Sequence, residues 1–169
     1  MESDSVTDRT DGKHRVNSAQ GQLVTGRDVL RGLGAVAVVV ADPGPEAAQD
    51  GLSESRLQTV TELALRSAGI RIEAIETLNK SRRENPKFRT AVLWVSVDTV
   101  KGGGLYAYSM NVELHEVMQF LDGSGEASGT TWTRGSVGTV ASSKVSILAD
   151  DVREFVEEFA NDYLAANPR

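Results

Sequence analysis

Hydrophobic and polar residues alternate most regularly between Leu105 and Phe120, LYAYSMNVELHEVMQF. At a period of two, Tyr106, Tyr108, Met110, Val112, Leu114, Met118 and Phe120 share one side. Ala107, Ser109, Asn111, Glu113, His115, Val117 and Gln119 share the other, and only Glu116 breaks the apolar row. The pattern predicts a strand in a sheet with one face covered and one facing water. Fully extended it would span ~54 Å, against a usual strand length of ~5–6 residues, so a bend or bulge is expected near His115 and Glu116.

Other elements follow in order. Residues 1–25 are polar and too poor in apolar side chains to offset their ordering entropy, which predicts a disordered tail followed by a single domain over 26–169. Arg27 to Leu33 suits a short helical turn. Gly34 to Ala41, GAVAVVVA, reads as a buried strand, ended by Asp42-Pro43-Gly44-Pro45. Ser53 to Ala68 carries the marks of a helix: Ser53 as N-cap, Leu52 stapled to Leu57, and Leu57, Val60, Ala64 and Ala68 at helical spacing. Gly69 then supplies a left-handed ending, with Ile70 folding back onto Leu65.

Ile70 to Ile75 reads as a second strand, parallel to the first through the helical crossover. Glu76 to Arg89 is polar and reads as a solvated connection with a turn at Asn85-Pro86; it holds the one dense basic group, Arg82, Arg83, Lys87 and Arg89. Ala91 to Val97 is a third strand, joined by a glycine-bearing hairpin at Lys101–Gly104 to the long fourth. Asp122–Gly125 turns the chain into a fifth strand, Ala127 to Arg134, and Gly135 to Ser142 reads as a loop. An amphipathic helix closes the chain, with Val145, Leu148, Val152, Phe155, Val156, Phe159 and Tyr163 in one stripe and Asn167-Pro168 at its end. The expected fold is α+β: a two-layer sandwich of order β-α-β-β-β-β-α, with a mixed five-stranded sheet and two helices on one face.

Composition narrows the chemistry. The absence of cysteine removes disulfides, thiol catalysis and cysteine-ligated metal. A net charge of −6 argues against generic nucleic-acid binding and gives no support for an anionic membrane as partner. No run is long and apolar enough to span a bilayer, so membrane insertion is not expected. The N-terminus as written has no apolar core of a secretory leader, which places the chain in the cytoplasm, or in the periplasm or outside the cell if a leader has been removed.

Candidate sites are few. Glu113, His115 and Glu116 are too few ligands for a metal site, and the other histidine, His14, lies in the tail. Arg134–Thr139 lacks the lysine and following helix of a phosphate-binding loop, and Ser136 lacks a nucleophile-elbow pattern. No catalytic residue, cofactor or metal is therefore expected. If Leu93, Val95 and Val97 face the helices, Trp94 faces away from them. If Ala127, Gly129, Thr131 and Thr133 face inward, Trp132 and Arg134 join Trp94 on the open face as a binding patch. A slip of one residue would instead put the tryptophans in the core.

The stretches GLGAVAVVVADPGPEAAQDGL, GLYAYSMNVEL, TTWTRGSVGTV and FANDYLAANP resemble those of small uncharacterised bacterial α+β proteins, many of them exported. The element order is also similar to the N-terminal domain of the Tol-system propeller protein and to small outer-membrane assembly lipoproteins. Neither resemblance implies catalytic residues, and the chain departs from exported relatives in lacking a leader and a lipid-attachment cysteine. The expected role is a non-catalytic binding or assembly module, holding a protein partner or a second copy by its open face or a sheet edge. The alternative is a small-molecule binder or cryptic enzyme with its site near Gly135–Ser142.

Overall fold

The valine run forms β1 (Leu33–Val40), a strand whose two faces are both covered. The computed structural model describes residues 26–85 and 87–168, so the tail expected over 1–25 lies outside the described residues. A 3-10 turn over Gly26–Leu30 leads into β1. After it come α1 (Pro45–Gln49), α2 (Glu54–Ser67) and α3 (Ile75–Glu84), then β2 (Arg89–Gly102), β3 (Leu105–Gln119) and β4 (Glu126–Ala141). A second 3-10 turn, Ser142–Ile147, leads into α4 (Leu148–Ala166). The sheet has strand order β1-β2-β3-β4, with β1 and β2 parallel and the other neighbours antiparallel.

Local chemistry explains the sharpest boundaries. The Ser53 hydroxyl accepts the Arg56 backbone N–H at 3.3 Å, and Leu52 and Leu57 are both fully buried beside it. At the other end Gly69 takes φ 74°, a region that strains any residue with a Cβ. The Ile70 N–H reaches Leu65 O (3.0 Å) and the Gly69 N–H reaches Arg66 O (2.9 Å), which is the Schellman pattern.

Helices α2 and α4 cover one face of the sheet. Leu148, Val152, Val156 and Phe159 of α4 meet Leu93, Val95, Val97, Met110, Val112 and Leu114 in one core. Each such side chain contributes about 1.5–3 kcal/mol by leaving water, so α4 is a main source of stability.

Four parts of the expected architecture change. The sheet has four strands rather than five, because Ile70–Ile75 contributes only a single bridge, Val36 to Ile72, before α3 begins at Ile75. There are four helices among the described residues rather than two. The polar segment after Glu76 is a helix, not a solvated connection; its one buried anchor, Leu78, packs with Ala35, Ala37 and Phe88 on the face opposite α2 and α4. Finally, Gly135–Ala141 is strand, not loop. It pairs with Leu105–Asn111 and extends β4 to 16 residues.

Candidate functional site

Strand β4 decides where the candidate site residues lie. Leu114 pairs with Trp132 but His115 pairs with Thr130, leaving Thr131 as an extra residue on β4. The bulge falls where the long alternating strand was expected to be interrupted, with the extra residue on its partner. It also reverses the parity of β4. Ala127 and Gly129 lie opposite Met118 and Glu116, and beyond the bulge Trp132 and Arg134 lie opposite Leu114 and Val112, all in the helix-facing rows.

The expected patch is thus not formed as a unit. Trp132 is 6 % exposed and packs edge-to-face on Phe159, with centroids 5.2 Å apart. Its indole N–H donates to Asp162 Oδ2 at 3.0 Å. The Arg134 guanidinium lies over the Trp132 ring (5.2 Å) and donates from Nε to Glu158 Oε2 at 2.8 Å. Both residues therefore brace β4 against α4. Beside them is a shallow hollow of about 290 Å³ lined by Gly26, Arg27 and Thr130 to Arg134.

Trp94 alone of the three occupies the open face. It is 37 % exposed and stacks on His115 at 6.4 Å. His115 Nε2 donates to Glu113 Oε2 at 2.8 Å, so the two strand-face groups satisfy each other. Among the described residues no three His, Asp or Glu side chains converge as metal ligands. No described helix is long and apolar enough to cross a membrane.

Edges differ sharply from each other. The outer side of β1 is engaged by the segment before α3: Val36 N–H donates to Arg71 O (3.0 Å) and Glu73 N–H to Val36 O (2.9 Å). No strand among the described residues pairs with the outer side of β4. Among the described residues that edge is without a partner strand, which is their distinctive feature.

No family model matches the chain, and no curated protein matches it. Some solved structures are similar. One is a PelC dodecamer from Paraburkholderia phytofirmans, at 20% identity over 80% of this chain and 88% of that one, with a TM-score of 0.43. A substituted form of the same protein, also a dodecamer, gives 20% identity, 77% and 90% coverage and a TM-score of 0.46. A minor lipoprotein from Acinetobacter baumannii gives 10% identity, 79% and 92% coverage and a TM-score of 0.28. At these values the likenesses carry no argument about function, which rests on the geometry.

Two polar clusters join residues far apart in the chain, so the meeting of their members had no sequence signal. At one end of the sheet Asp50 Oδ2 accepts from Lys101 Nζ (2.7 Å) and from the Tyr106 hydroxyl (2.8 Å). Those bonds, from Lys101 first and then Tyr106, hold the Asp50 carboxyl below its ordinary range. The bond to Asp50 raises Lys101, whereas burial first and the Asp50 bond second raise Tyr106. Lys101 and Tyr106 keep their protons to higher pH in the folded chain than in the unfolded one. Their contribution is fully present below the unfolded values, roughly 10–10.4, and is lost as pH rises through the folded ones. Asp50 acts at the opposite end, its contribution present above about 3.9 and lost as pH falls through its depressed value. Thermal melts of Asp50→Asn should show a shallower alkaline decline than the parent; parallel declines would mean the cluster does not couple to folding.

The second cluster surrounds Glu116, the one polar residue in the apolar row. Its carboxylate accepts from Arg89 Nη2 (2.5 Å) and the Thr131 hydroxyl (2.8 Å). Arg89 also donates to Val29 O (2.8 Å) and Arg31 O (2.5 Å), tying the first 3-10 turn to the sheet at the bulge.

Proposed function

We propose that the protein is a non-catalytic assembly module in which β4 pairs with β4 of a second copy. The outer side of this 16-residue strand, which no strand among the described residues pairs, is the observation that carries the reading. An exposed edge is a template for another strand, and natural sheets block it with proline, lysine or a short length. Strand β4 has no proline and no lysine, and its Val137 is 78 % exposed. Antiparallel pairing of two identical edges is self-complementary and closes as a twofold dimer. Trp132 and Arg134 serve this role indirectly, holding β4 against α4 so that its edge stays aligned. Trp94 offers the open face a single aromatic anchor for a further protein partner. Such a role also accords with the resemblance to outer-membrane assembly lipoproteins.

The small-molecule alternative depended on a loop at Gly135–Ser142. That stretch is strand up to Ala141, so the reading loses the loop it needed. Light scattering on the full chain tests the assembly. The parent should have at least the mass of a dimer, and Val137→Lys, a change at an exposed position, should shift it toward monomer. A monomeric parent, or a dimer indifferent to Val137→Lys, would contradict pairing through β4.

A further inference from the structure

The β3–β4 hairpin continues past the rest of the sheet. Pairing of β2 with β3 stops at Val92 and His115, whereas β3 and β4 stay paired to Gln119 and Glu126. The projecting ribbon carries Val117, Met118, Phe120 and Leu121, all exposed, with Leu121 entirely so. Met118 lies across Gly129, where a Cβ would sit 1.9 Å from its Cε, so the bare glycine keeps that face of the ribbon flat. The turn is well built. Phe120 N–H donates to Gly125 O (2.9 Å), Gly123 N–H to Phe120 O (3.0 Å) and Ser124 N–H to Asp122 Oδ1 (2.9 Å). An ordered turn therefore presents Phe120 and Leu121 outward, away from any core.

Set back from this tip is a cationic collar. Arg82, in the last turn of α3, pairs with Glu126 at the ribbon (3.3 Å), which brings that end of α3 beside the hairpin. Arg83 follows it, and Lys87 lies in the short connection to Arg89, which holds the hairpin base through Glu116. Among the described residues Arg83 and Lys87 have no carboxylate within ion-pair distance, so their charge is available.

We propose that this hairpin tip docks on a lipid bilayer containing anionic headgroups. A convex apolar tip with free cations behind it matches the order of a bilayer, hydrocarbon at depth and phosphate above. A protein groove would need a concave match and gains nothing from the collar's placement. The net charge of −6 does not report this local arrangement, in which Asp122 lies in the turn beside Leu121 and Glu126 is paired with Arg82, leaving Arg83 and Lys87 as the cations behind the tip. With two inserting side chains and a few cations the contact is reversible and adds to any other anchor.

Cosedimentation of the full chain with phosphatidylcholine vesicles carrying roughly one phosphatidylglycerol in three tests this, since such vesicles supply the surface charge the collar would meet. The parent should partition, and less so at high salt. Phe120→Ser with Leu121→Ser should lower partitioning about tenfold, and Arg83→Glu with Lys87→Glu should remove its salt dependence. Val100→Ser with Leu105→Ser, at the opposite end of the open face and also exposed, should leave it unchanged. No partitioning by the parent, equal loss in both serine pairs, or loss of oligomer mass without vesicles in the tip variant would each overturn the proposal. The last outcome would make the tip a protein contact.

Discussion

Trp132→Ala is expected to destabilise the domain by about 3–5 kcal/mol, whereas Trp94→Ala should cost no more than about 1 kcal/mol. The difference follows from environment, not residue type. Trp132 is buried against Phe159, and its truncation also leaves Asp162 without an indole donor and Arg134 without the ring it lies on. Trp94 has only His115 stacked on it and keeps much of its ring in water. Urea melts of the two variants separate the cases. Equal losses would mean that the parity reversal at Thr131 is wrong.

That reversal shows what was legible in the sequence and what was not. The interruption at Glu116 was visible, and so was the need for a bulge near it. Which strand would hold the extra residue was not, because a bulge on either strand relieves the same mismatch. One residue on β4 moves Trp132 and Arg134 from one face to the other, and alternation in a strand rich in Gly, Ser and Thr gives little to choose between them. By contrast α2 could be read with its ends, since Ser53, Leu52 and Gly69 each satisfy a specific backbone need. Helix α3 could not: IETLNKSRRE has one buried residue, and its helical state rests on Leu78 meeting Ala35 and Ala37 from a distant strand. Phe120 and Met118 continued the apolar row of β3, but β2 ends before it can shelter them, so sequence placed in the core what the fold leaves outside.

The second large effect is expected at the buried ion pair. Glu116 is 9 % exposed and Arg89 supplies its only cation among the described residues. Arg89→Met leaves a buried carboxylate with the Thr131 hydroxyl alone and should cost about 3 kcal/mol, the low end for such a loss because Arg89 is itself partly in water. Replacing both, as Arg89→Met with Glu116→Leu, should recover much of that, since an apolar pair needs no desolvation offset. A double-mutant cycle by equilibrium unfolding measures the coupling. If Arg89→Met alone were harmless, the pair would be ornamental and the 3-10 turn before β1 would be held by other contacts.

Assembly through β4 makes a demand on individual amides. In a paired edge the outward N–H groups of Glu126–Ala141 are hydrogen-bonded only while the second copy is present, whereas Val92–Val95 of β2 is flanked by β1 on one side and β3 on the other within the monomer. Amide hydrogen exchange on the full chain, followed across a dilution series, reads this directly. Pairing through β4 predicts that protection of alternate amides in β4 falls on dilution while protection of Val92–Val95 in β2 stays constant. Outward β4 amides that exchange rapidly at every concentration would contradict it, and the bare edge would then be an edge that the protein leaves unused.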